Sequence, residues 1–240
     1  MHVFRHQLQR FVTTSEFDCF STQVDYSGSY MCGFETSFCS PRVALFHFLS
    51  GCIGKPADVL FVLDNSGSIS NVNYGKMMTF VEDLALSFDV GPAKTRLGTI
   101  TFANDAVTRF HLNTFNDSLD IVGELMAMRR QSGGTNTADA LRLAREDGLL
   151  EANGARVDYL KVLIVITDGK SRDTPATLEQ AQLLRNEGVL VFSVGVGRNL
   201  DIPELKGIAG EEFPDRFFES ETFDALVDLN VRIIQATCDG

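Results

Sequence analysis

No cluster of lysines and arginines occurs anywhere in these 240 residues, and the formal net charge is −11. Nucleic acid is therefore an unsuitable partner, because phosphate binding is driven by grouped basic side chains that release counterions. No apolar stretch approaches the roughly 20 residues needed to cross a bilayer, so membrane insertion is not expected. The opening "MHVFRHQLQRF" lacks the apolar centre of a signal peptide. No Cys-x-x-Cys spacing is present, and His47 alone lies near a cysteine, Cys52. That composition disfavours a zinc site built on cysteine and histidine. Internal repeats and low-complexity tracts are absent as well.

The five cysteines are Cys19, Cys32, Cys39, Cys52 and Cys238. Their scarcity of metal-binding company points to disulfides in an oxidising compartment, and the odd count leaves one thiol free or available to join another chain into an oligomer. Residues 1–51 are rich in Ser, Phe, Tyr and Cys with no sustained period, and they read as a poorly specified segment separate from residues 52–240. Within them, "RVALFHFLSGC" from Arg42 to Cys52 reads as a buried strand or loop, with a signal peptide preceded by an early start codon as the alternative.

From Asp58 onward the pattern changes. "DVLFVLD", "RLGTITFA", "KVLIVITD" and "GVLVFSVGVG" are continuously apolar, as strands buried on both faces of a parallel sheet must be. "AVTRFHL", just after "FANDA", reads as an antiparallel edge strand paired with "RLGTITFA". Helices are expected over Tyr74–Phe88, Asp117–Met128, Thr137–Glu151, Pro175–Asn186 with Thr174 as N-cap, and Phe223–Ala236, with Gly188 ending the fourth. Tyr74, Met77, Met78, Val81, Leu84, Ala85 and Phe88 fall at helical spacing and belong to the core. The sum is an α/β fold: a doubly wound, mostly parallel sheet with one antiparallel edge strand and helices on both faces.

Asp64 and Asp168 stand at the carboxyl ends of two of these strands, where a doubly wound sheet opens its binding crevice. Between them in sequence, "SGGTNTADAL" is a Gly-rich loop that opens a helix. Asp64, Ser66, Ser68, Thr135 or Thr137, and Asp168 offer hard oxygens only, with no histidine, and such a shell suits magnesium or manganese rather than zinc or copper. Two carboxylates merely neutralise a dication, so a position on it stays attractive to an anionic group from another molecule. Taken singly, "DNSGS", the Thr135 loop and "TDG" are each more simply a turn or a helix cap. Three of them at matching strand ends point to a site.

"DVLFVLDNSGSI", "GGTNTADAL" and "VLIVITDGKSRD" closely resemble the three metal-site segments of the von Willebrand factor type A domain. The similarity covers roughly Asp58–Thr237 and is strongest to the extracellular-matrix branch, as in matrilins and collagens VI and XII. It implies a six-stranded sheet and a metal-ion-dependent adhesion site, with Asp64, Ser66, Ser68, Thr135 and Asp168 around magnesium or manganese. Alignment on the family's loop favours Thr135 over Thr137. The resemblance further implies a secreted, non-enzymatic module that captures a Glu or Asp of a matrix or cell-surface protein. "DGKSRDTPATLEQA" runs directly into the next helix, without the extra helix of collagen-binding integrin domains, which puts collagen in doubt. Because chain ends emerge together in such domains, a Cys52–Cys238 disulfide is expected, holding the last helix and fixing the affinity. Asn116 begins an "NDS" sequon and is a candidate glycan acceptor or an unmodified N-cap. Two other functions compete: a metal-dependent phosphohydrolase, in which Ser66 stands where a second Asp is needed, and a structural matrix domain with a vestigial site.

Overall fold

The computed structural model describes residues 56–198 and 200–229. The expectations for residues 1–51 with Cys19, Cys32 and Cys39, and for Cys52 and Cys238, lie outside them. Six strands form one sheet: β1 (Ala57–Asp64), β2 (Arg96–Phe102), β3 (Ala106–Phe110), β4 (Leu160–Thr167), β5 (Leu190–Val196) and β6 (Phe217–Ser220). Their spatial order is β3-β2-β1-β4-β5-β6. Every neighbouring pair is parallel except β2 with β3, the expected antiparallel edge.

Strand β1 explains the continuous apolar runs. Side chains alternate across a strand, so Val59, Phe61 and Leu63 join one core cluster while Leu60 and Val62 join another. The first is covered by α1 (Asn71–Leu86) and α2 (Ser118–Ala127), through Met77, Val81, Leu84, Ile121 and Leu125. The second is covered by α3 (Thr137–Leu143), α4 (Thr174–Asn186) and α5 (Ile202–Ala209), through Leu141, Leu184 and Ile208. Each large apolar side chain so enclosed contributes about 1.5–3 kcal/mol. Tyr74, Met77 and Met78 of α1 are core, as read from their spacing, and so is Phe80; Phe88 lies just beyond the helix, half-buried against the same cluster.

Several boundaries differ from the expectation. The helix expected over Thr137–Glu151 is α-helical only to Leu143 and continues as a π turn over Ala144–Gly148. There the Leu149 N–H reaches back to the Ala144 carbonyl, at 2.9 Å. The wider turn brings Gly148 against β1, where a Cβ would lie 2.6 Å from a methyl of Leu60. Asp173, not Thr174, caps α4: its carboxylate accepts from the Ala176 N–H at 3.1 Å, and Thr174 is already helical. Phe223–Leu229 is 3-10 rather than α-helical, and the rest of that expected helix lies beyond the described residues. Helix α5 was not anticipated, and strand β6, the sixth strand that the resemblance implies, was not located in the sequence.

Candidate metal centre

The strand order reverses between β1 and β4: β1 leads on to β2 on one side, and β4 to β5 on the other. Pairing of Leu63 with Ile166 sets the ends of β1 and β4 side by side. Asp64, the last residue of β1, therefore lies next to Thr167, and Asp168 follows immediately. The Thr167 hydroxyl donates to Asp64 Oδ2 at 2.6 Å, and the Ser66 N–H donates to Asp64 Oδ1 at 2.8 Å. Ser68 donates its hydroxyl to Asp168 Oδ1 at 2.6 Å, and the Ser66 and Ser68 hydroxyls are 2.9 Å apart. Four of the five expected residues are thus joined by hydrogen bonds.

Backbone bonds bring in the fifth. Gly67 N–H donates to the Gly133 carbonyl at 2.9 Å, and Arg172 N–H donates to the Thr135 carbonyl at 2.8 Å. The loop after β1, the Gly-rich loop and the loop after β4 are consequently tied pairwise. Gly133 has φ +151°, and a Cβ on it would press within 3.0 Å of the Asn104 side chain, so the close approach needs glycine. The Thr135 hydroxyl is not spent on capping: Asn136 is the N-cap residue of α3, and no side-chain bond closes that cap. Nor does "DNSGS" cap α1, a role taken by Ser70, which accepts from the Asn73 N–H at 3.2 Å.

Burial is the dominant electrostatic fact. Asp64 is 0% exposed, and burial pushes its carboxyl above the ordinary value, outweighing the bonds from Ser66 and Thr167, with the nearby Asp168 charge adding to the rise. Asp168 is raised too, chiefly by burial, against the lowering effect of Ser68. Both shifts have the sign expected of carboxylates withdrawn from water without a counter-charge. Among the described residues, no lysine, arginine or histidine bonds to either one. No group of three or more Asp, Glu, His or Cys side chains placed to hold a metal ion is found among those residues either, so a cation here would meet two carboxylates and neutral hydroxyls. That donor set fits a hard divalent ion.

Sequence reading missed the residues that hold these loops. Asn65, 1% exposed, accepts from the Gln131 N–H at 2.7 Å and donates to the Arg129 carbonyl at 3.3 Å. Asn104 accepts from the Gly134 N–H at 2.8 Å. Glu204, on α5 and 2% exposed, accepts from the N–H and hydroxyl of Ser171, at 2.9 and 2.6 Å, and from the Thr174 hydroxyl. A carboxylate from an unanticipated helix thereby anchors the loop that carries Asp168. Asn65 was visible inside "DNSGS"; Thr167 and Glu204 acquire their roles only from strand register and helix packing. Asn116 is exposed and precedes the N-cap of α2, which is Asp117.

The von Willebrand factor type A domain family model matches residues 58–232. Mouse matrilin-2 is 33% identical over 192 residues, covering 79% of this chain and 20% of matrilin-2. The human collagen alpha-6(VI) chain is 35% identical over 185 residues, covering 76% of this chain and 8% of the collagen chain. This chain therefore spans a fifth or less of the length of these two relatives. Among solved structures, proximal thread matrix protein 1 of the mussel byssus, with zinc in its metal-ion-dependent adhesion motif, superposes with a TM-score of 0.68 at 31% identity. That match covers 77% of this chain and 46% of the mussel chain. That relative carries zinc, whereas hard oxygen donors such as those gathered here suit magnesium or manganese. Matrilins and collagen VI chains are secreted extracellular-matrix proteins, not enzymes.

Proposed function

Since this chain belongs to the von Willebrand factor type A domain family, we propose that it is an adhesion module of the extracellular matrix whose Asp64, Ser66, Ser68, Thr135 and Asp168 hold a divalent cation. One observation carries the reading: Asp64 is a fully enclosed carboxylate, facing a second carboxylate, with hydroxyls and an N–H for company and no basic side chain. Leaving a buried charge uncompensated costs several kcal/mol, and a dication removes that cost. Magnesium or manganese is the ion we assign, on the hardness of the donors. When bound, it supplies a Lewis-acidic position for a Glu or Asp side chain of another protein.

The chain's own residues prepare that position. Thr167 and the Ser66 N–H occupy the inner lone pairs of Asp64 and fix its plane, while Ser68 and Asp168 sit at the exposed rim. A phosphohydrolase reading has no second carboxylate two residues after Asp64, where Ser66 stands. The decisive experiment is retention of the chain on immobilised matrix extract with magnesium and with chelator, for wild type and Asp64→Ala. Retention lost in both the chelated wild type and the variant supports capture through the ion; unchanged retention in Asp64→Ala refutes the site.

The same reading includes a Cys52–Cys238 disulfide that closes the domain and fixes its affinity, an oligomer through an unpaired cysteine, and a glycan on Asn116. Peptide mapping by mass spectrometry of protein from its native source decides the disulfide and the glycan. Cys238 paired with Cys19, Cys32 or Cys39 removes the basis for a fixed affinity.

A further inference from the structure

A groove of about 390 Å³ lies between α3 and α4. Asn136, Asp139, Arg142, Arg172 and Asp173 line it. Three of the four charged groups are already engaged within the chain. Asp139 accepts from Arg142 at 2.5 Å and from the Ala106 N–H at 2.9 Å. Arg142 also reaches Glu146 at 3.0 Å, and Asp173 caps α4. Arg172 differs: its side chain is exposed and bonds to no described residue, in a chain whose net charge is −11. Its backbone, meanwhile, is held against Thr135 by the 2.8 Å bond, and Asn136 of the groove is the next residue along.

Resting on the capture reading above, we infer that this groove is a second carboxylate subsite, in which Arg172 binds another acidic side chain of the same partner segment. The partner is then an acidic peptide stretch rather than a lone Glu or Asp. A guanidinium presents paired donors that match a carboxylate, which gives Arg172 directional preference as well as charge. An extended peptide advances about 3.3 Å per residue, so peptides with a second Glu two, three or four positions from the first sample the spacing between the ion and Arg172. Asp139 is paired with Arg142 and the Ala106 N–H, and Asp173 turns Oδ1 to the Ala176 N–H that it caps, which leaves Arg172 as the groove's cation without an ion pair among the described residues.

The test uses the full chain in magnesium and a short fluorescent Gly-Ser peptide bearing one Glu, with siblings carrying a second Glu two, three or four positions away. Anisotropy titration should show at least one two-Glu peptide binding about three- to tenfold more tightly than the single-Glu peptide. In Arg172→Gln that gain should fall below about twofold, and in high salt it should shrink as well. Equal binding of all peptides to wild type, or a gain that survives in Arg172→Gln, overturns the subsite while leaving metal-dependent capture standing. No chelator-sensitive binding of any peptide overturns the capture reading and the subsite with it. Heparin bound through Arg172, with no preference among the peptides, would assign the groove to sulfated polysaccharide and overturn the acidic-peptide assignment.

Discussion

Asp58 and Asp64 lie near opposite ends of one strand, and both are 0% exposed, yet the fold treats them in opposite ways. Asp58 is answered within the chain. Arg156 donates to its Oδ1 through Nε and Nη2 at 2.8 and 2.6 Å, and the Arg156 N–H reaches Oδ2 at 2.6 Å. The same guanidinium bonds the carbonyls of Ala57 and Lys94 and lies 3.5 Å from the centre of the Tyr159 ring. Asp64 has no such partner, only a hydroxyl and an N–H. A buried carboxylate that serves structure is neutralised where it stands; one left without a counter-charge, beside a second carboxylate, is what the proposed cation site requires.

Removing each carboxylate should break the comparison most sharply. Asp58→Ala strands Arg156 in a largely enclosed position, and chemical denaturation should register a loss of about 3–5 kcal/mol. Asp64→Ala in metal-free buffer should cost far less, because the charge removed was uncompensated. A large loss there would mean that Asp64 is a structural carboxylate like Asp58.

Glu204→Gln tests the support of the loop. The amide keeps the size but exchanges one acceptor for a donor facing the Ser171 and Thr174 region, at a cost of about 1–3 kcal/mol. Magnesium affinity should weaken alongside stability, because the segment after Asp168 slackens. Unaltered affinity would confine Glu204 to a packing role.

The smallest effect concerns acidity. A carboxyl raised in the folded state keeps its proton more tightly than in the unfolded chain, so its stabilisation is full below the unfolded value near 3.8 and is lost as pH rises through the folded value. Asp139 works the other way: burial raises it, but the Ala106 N–H and Arg142 outweigh burial and hold it low. Asp147 behaves likewise, with Thr108, His111 and Asn153 overcoming burial. The contribution of the site is therefore the difference between wild type and Asp64→Asn. In metal-free buffer, wild type should gain stability relative to the variant on mild acidification. Apparent magnesium affinity should fall over the same range, because both aspartates must be ionised to bind.

Much of this architecture is legible in the chain's residue pattern alone. Strands β1, β2, β4 and β5 announce themselves because burial on both faces forces unbroken apolar runs, and α1 does so through its heptad-like spacing of core residues. Strand β6 is four residues long, and its "FFES" carries no period to read. Helix α5 is eight residues, "IPELKGIA", about two turns and too short to show a sustained helical period. The π turn after α3 accompanies the approach of Gly148 to Leu60, a tertiary contact with no local signature. At the proposed site, Asp64, Ser66, Ser68 and Asp168 could be picked from motif and strand-end position, and Thr135 rather than Thr137 only from the resemblance to the family's loop. Thr167 could not be assigned its bond to Asp64 without the register of β4 against β1, nor Glu204 its bond to Ser171 without the packing of α5.

Asp64 and Asp168 should stay uncompensated until a divalent cation binds between them. Thermal unfolding of chelator-treated chain during magnesium titration tests it most directly, with Asp64→Asn and Asp168→Asn measured in parallel. Wild type should gain stability that keeps growing with concentration, reaching about 2.7 kcal/mol at a hundredfold excess over the dissociation constant. Both variants should show at most a small fraction of that gain. A wild-type chain indifferent to magnesium and manganese, or variants that respond as it does, would contradict the account.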